Sequence, residues 1–196
     1  MQITLLHYCL ILRRKRFTRK NQPELKYHSM ARKNLTITLY MSELIYDFQN
    51  KAFLTGRSRR AADMDAEAAS NIQASDDDED KNQALRSIQN AYSQLLVELS
   101  ESVQTDNGTT ASNELINDST NIVINLSLPS NYPLALKDAL TSSIHDYIIN
   151  KALMDWFIIT NPNESKPYAE LSVAAIKNLH EVFNRRERPS RTAPNV

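Results

Sequence analysis

LALKDALTSSIHDYIINKALMDWFII, residues 134–159, is the stretch on which the fold turns. Pro133 stands just ahead of it, a residue that suits the start of a helix, and Asn161-Pro162-Asn163 breaks it at the far end. Read as one helix it is about 39 Å long, at about 1.5 Å per residue. Leu136, Leu140, Ile144, Tyr147, Ile148, Ala152, Trp156 and Ile159 recur along it, and Leu153, Met154, Phe157 and Ile158 make its second half apolar nearly all round. A helix of that kind is buried centrally or covered by a partner. Asp146, Asn150, Lys151 and Asp155 exclude a membrane span, because charges at the bilayer centre cost several kcal/mol.

Working outward, two more helices carry clear apolar stripes. Leu85, Ile88, Tyr92, Leu95 and Leu99 are spaced as the seam of a helix packed at a shallow angle. Met41, Leu44, Ile45, Phe48 and Ala52 share one face of an earlier helix, with Ser42 as its expected N-cap and Gly56 as its expected C-cap. A last helix is expected over about 164–187, with Pro167 in its first turn and a stripe of Leu171, Ala175, Leu179, Val182 and Phe183. It is expected to pack antiparallel to the helix before it, which would let His145 and His180 approach.

Two segments alternate. Leu35, Ile37 and Leu39 alternate with polar residues, and Ile122, Ile124, Leu126 and Leu128 do so more strongly. A lone strand cannot satisfy its own backbone, so the second must pair with the first or with another chain. The expected fold is therefore mainly α: an antiparallel bundle of about four helices with one or two short strands or extended arms. Residues 30–188 read as one domain, with 61–80 and 104–120 as flexible loops and 189–196 as a basic tail. The block Asp76-Asp77-Asp78-Glu79-Asp80 has neither the alternation nor the glycine of a calcium loop. It suits the positive end of the next helix.

Residues 1–29 stand apart. The apolar run Ile3 to Leu12 is followed, not preceded, by Arg13-Arg14-Lys15-Arg16. That is the wrong order for a secretory signal, and the run is half the roughly 20 residues a membrane span needs. Met30-Ala31-Arg32-Lys33 reads as an ordinary start, so 1–29 is read as a disordered or mis-assigned leader.

Composition narrows the function. Only Gly56 and Gly108 are glycines, so neither a phosphate loop nor a dinucleotide fingerprint can be written. The one cysteine, Cys9, leaves no intrachain disulfide or cysteine zinc cluster. His145 and His180 each sit beside an acid, but adjacent helix positions point apart. No catalytic, cofactor or metal site is expected. Net charge is zero overall, and the body beyond residue 33 is acidic, so its whole surface is not a nucleic-acid face. Two basic clusters remain: Arg57, Arg59, Arg60, and Arg185, Arg186, Arg188, Arg191. They read either as charges matching helix C-termini or as candidate contacts to phosphates.

The stretch from Glu43 to Arg57, ELIYDFQNKAFLTGR, resembles the opening of small virion proteins of tailed bacteriophages and prophages. Leu128-Pro129-Ser130-Asn131-Tyr132, the later Tyr147-Ile148 and Asp155-Trp156-Phe157, and Arg185-Arg186-Glu187-Arg188-Pro189 extend the resemblance over about residues 42–190. Those proteins are head–tail connector, or neck, subunits, helical and ring-forming. The resemblance implies a structural, non-enzymatic role in the virion or cytoplasm. It implies a homo-oligomeric ring, docking to portal or tail proteins, and non-specific contact with passing DNA. The expected partner interface is Ile122, Ile124, Leu126 and Leu128 together with Met154, Trp156 and Phe157. The alternative is a small helical nucleic-acid-binding or regulatory protein that uses the C-terminal arginines.

Overall fold

The structure is a computed structural model, and it describes residues 32–61, 65–75, 77–104 and 114–188. The leader at 1–29, Asn107-Gly108 and the tail from residue 189, Arg191 included, lie outside the described residues. The described fold is mainly helical with one small sheet. Strand β1 (Arg32–Leu39) runs into helix α1 (Met41–Ala61). Then come the short α2 (Ala66–Ile72), α3 (Asp78–Glu98), strand β2 (Ile122–Pro129), α4 (Lys137–Thr160) and α5 (Pro162–Phe183).

Helix α4 is the axis of the molecule. Its buried residues, Leu140, Ile144, Tyr147, Ile148, Ile149, Ala152, Leu153, Trp156 and Phe157, go all round it. They can do so because α1, α2, α3, α5 and β1 all pack against it. The surplus of apolar side chains is consumed almost entirely inside the chain. Trp156 and Phe157, expected at an interface, are core residues, and Phe157 is fully buried.

Helices α4 and α5 are antiparallel. Phe157, late in α4, stacks on Tyr168, early in α5, with ring centroids 5.0 Å apart. Ser143, early in α4, accepts a hydrogen bond from the Asn178 amide of late α5 at 3.1 Å. Asn161 makes the corner: its side-chain oxygen accepts the Asn163 N–H at 3.2 Å, and Pro162 takes the first helical position. Because α5 starts at Pro162, Pro167 falls inside the helix rather than in its first turn. The packed stripe of α5 is Glu164, Ser172, Ala175 and Leu179, whose small members let it lie close to α4. Leu171, expected in the stripe, faces outward.

The two strands pair antiparallel, Leu35 opposite Leu126 and Ile37 opposite Ile124. This resolves the open choice of partner within the chain. Ile122, Ile124, Leu126 and Leu128 are at most 4% exposed and form the inner face over the helices. They are therefore core, not a partner interface. The other face is polar apart from Val123: Thr36 donates its hydroxyl to the Asn125 side-chain oxygen at 2.9 Å.

Gly56 is not a C-cap. Helix α1 continues through it to Ala61. A Cβ there would meet the carbonyl oxygen of Ala69 at 2.8 Å, so glycine is needed for the close approach of α2, not for a turn. The bridge at 61–80 is not simply a loop either. Ala69, Ile72 and Ala74 are buried within it, and Ser75 is tied by its N–H to Asp80 at 2.8 Å. The end of the stretch 104–120 is likewise pinned. The Gln89 side chain donates to the Glu114 carbonyl and accepts the Ile116 N–H, and Lys81 pairs with Asp118 at 2.7 Å. That lysine holds the Asp118 carboxyl below the usual range.

Candidate functional site

The arginine clusters separate into structural and free groups. Arg59 grips Glu164 with two nitrogens, Nε to Oε1 at 2.6 Å and Nη2 to Oε2 at 3.0 Å. Glu164 is buried, so this fork locks the end of α1 to the start of α5. The same carboxylate, by hydrogen bond and then by charge, raises the Arg59 pKa. Arg57 and Arg60 beside it are exposed.

At the other pole, Arg186 donates to the carbonyls of Phe183 and Arg185 at 2.9 and 2.8 Å, closing the C-terminus of α5. Arg185 and Arg188 are exposed. The two clusters lie at opposite ends of α5, a helix about 32 Å long. Among the described residues the structure does not bring them together, and these arginines form no continuous basic track. Lys33 joins the second pole: its ammonium donates to the Tyr132 carbonyl at 2.8 Å and lies 3.6 Å from Glu187. Beneath it the Tyr132 phenol is buried without a hydrogen-bond partner among the described residues. Burial raises its pKa, and Arg186 pulls weakly the other way.

The histidines go separate ways. His145 on α4 lies 3.3 Å from Asp47 of α1, and His180 on α5 lies 3.6 Å from Glu98 of α3. Among the described residues no three His, Cys, Asp or Glu side chains gather as metal ligands. A polar cleft lies at the His180 end, lined by Glu98, Glu101, Ser102, His180 and Asn184. Arg32 and Arg186 line its continuation.

The features that the sequence did not single out are apolar and outward. Leu54 on α1 and Leu171 on α5 line one groove, floored by Asn150 of α4 and by the Thr55–Tyr168 hydroxyl contact of 2.9 Å. Tyr46 and Phe53, on the neighbouring flank of α1, frame a shallow depression over Ala74. Of the large apolar side chains of α4, Met154, half-buried, and Ile158 and Ile159 in the last turn keep surface. Sequence periodicity does not point to the groove, because it assigns Leu171 to the packed stripe of α5 and leaves Leu54 as a single residue beside the stripe of α1. No described helix is long and apolar enough to cross a membrane. The chain matches no protein-family model, no curated protein and no solved structure.

Proposed function

We propose that the chain is a structural assembly subunit that works by binding further copies of itself and adjoining proteins. The specific form we propose is a head–tail connector subunit of a tailed bacteriophage or prophage, the class that residues 42–190 resemble.

One observation carries the reading. The outer surface of α1 and α5 holds large apolar side chains grouped rather than scattered. Tyr46 is 63% exposed, Phe53 46%, Leu54 50% and Leu171 49%. Leu54 and Leu171 share a groove, and Tyr46 and Phe53 share a second surface on the adjacent flank of α1. Isolated exposed apolar residues are ordinary, whereas grouped ones mark contact sites. Two unlike surfaces on one chain also permit head-to-tail contacts, which close into rings. The support comes from α1 and α5, since α4 is covered by its own chain. The basic groups favour no separate nucleic-acid reading: Arg59 and Arg186 are engaged within the chain, and the two clusters lie apart.

Light scattering on the purified full chain across a range of concentrations tests this. Mass should rise above 22.4 kDa with concentration; a mass fixed at the monomer would refute the reading.

A further inference from the structure

The hydrogen-bonding direction of every sheet residue follows from one isolated contact on the far side of β2. There the Gln104 N–H donates to the Asn125 carbonyl at 2.9 Å, and the Ser127 N–H to the Ser102 carbonyl at 2.7 Å. Val103 and Leu126 thus form a bridge whose bonds belong to residues on either side of each. In an antiparallel ladder a residue sends its N–H and C=O the same way, and neighbours alternate. Asn125 and Ser127 face away from β1, so Ile124, Leu126 and Leu128 bond to it. With Leu35 opposite Leu126, β1 bonds to β2 through Lys33, Leu35, Ile37 and Leu39.

Arg32, Asn34, Thr36 and Thr38 therefore send their backbone groups outward. No described residue meets those groups. Their side chains are exposed as well. Pro129 fits the same parity: it is an odd-numbered residue of β2, so its missing N–H would have faced away from β1. Among the described residues the edge of β2 is partly covered by residues 102–104, whereas nothing pairs with that of β1 along the strand, and such an edge recruits another strand.

We infer that the outer edge of β1 pairs antiparallel with β1 of a second copy, making a four-stranded sheet across a twofold axis. The inference rests on the assembly reading and names its surface. The second copy is the occupant because β1 is complementary to itself. With Thr36 opposite Thr36, Asn34 faces Thr38 and Leu35 faces Ile37 of the other copy. Apolar side chains stay on the helix side and polar ones on the solvent side. No like charges are opposed, and Arg32 comes over the exposed Tyr40 ring of the other copy. About six backbone hydrogen bonds form. The contact closes as a pair, so larger assemblies use the α1 and α5 surfaces in addition.

The test is sedimentation of the full chain carrying Thr36→Pro, with Thr36→Val as control. Both lose the hydroxyl bond to Asn125, but only proline loses the outward N–H, and neither touches a backbone hydrogen bond between β1 and β2. Proline should weaken association at least tenfold and valine leave it unchanged. In a Cys9→Ser background, Thr36→Cys should oxidise to a disulfide-linked dimer, since facing Cα atoms lie about 5.5 Å apart, while Asn125→Cys should not. The cross-linking arm decides the matter if the proline variant does not fold. A wild-type oligomer indifferent to Thr36→Pro, without cross-linking at 36, overturns this surface and leaves the assembly reading standing. A wild type monomeric at every concentration overturns both.

Discussion

Trp156 donates its indole N–H to the carbonyl oxygen of Ile72 at 3.0 Å, inside the core, and so fastens α2 to α4. The ring also meets Phe48 of α1 edge-on, with centroids 5.8 Å apart. Three helices thus converge on one side chain. Trp156→Phe keeps most of the packing and leaves the carbonyl at the end of α2 unpaired. It should cost about 1–3 kcal/mol, and Trp156→Ala about 3–5 kcal/mol. Denaturant unfolding followed by circular dichroism measures both, because the chain has no other tryptophan to report by fluorescence.

Gly56→Ala tests the close approach of α1 and α2. In an ordinary helix interior this change stabilises by about 1 kcal/mol. Here the new methyl would sit 2.8 Å from the Ala69 carbonyl and 2.5 Å from Gln73 Cγ. The expected sign is reversed, with a loss of about 1–3 kcal/mol. Gln73→Ala in the same chain should not restore stability, since the backbone contact remains.

The arginines of α1 should divide sharply. Arg59→Ala strands the buried Glu164 carboxylate and should cost about 1–3 kcal/mol. Arg57→Ala and Arg60→Ala should lie within about 0.5 kcal/mol of the parent. Thermal melts of the three variants separate a lock between helices from a generic basic patch.

Asp155 supplies a pH dependence of known sign. Burial raises its pKa, with Lys151 opposing. A raised carboxylate pKa means that the folded state binds the proton more tightly than the unfolded state. The ionised group therefore destabilises the fold at neutral pH, and the penalty disappears as pH falls through the ordinary carboxylate range. Asp155→Asn should raise the melting temperature at pH 7, and the gain should vanish in acid. A gain independent of pH would contradict this.

Much of the fold was legible because periodicity reports burial directly. The stripe of α1 and the alternation of β2 are core in the structure, and so is that of α3 except for the partly buried Tyr92. Other features were not legible because one residue type serves two physical ends. Gly56 reads alike as a cap and as a site of close approach. Helix α2, AEAASNI, has too few large apolar residues for its period to register. A helix apolar all round reads the same whether its own chain or another covers it, which is why Trp156 and Phe157 were expected at an interface. The role of Arg59 depends on Glu164, 105 residues away, and no local pattern encodes that distance.

The account stands or falls on the outward apolar surface of α1 and α5 being a contact surface. Sedimentation velocity of the full chain and of Leu54→Glu, from about 1 to about 100 µM, tests it most directly. Leu54 is half exposed, so its replacement should leave the melting temperature nearly unchanged. The wild type should sediment well above 22.4 kDa as concentration rises, and Leu54→Glu should lose the larger species and fall back to no more than the pair of chains joined through β1. A wild type that stays at the monomer mass across the whole range would contradict the account.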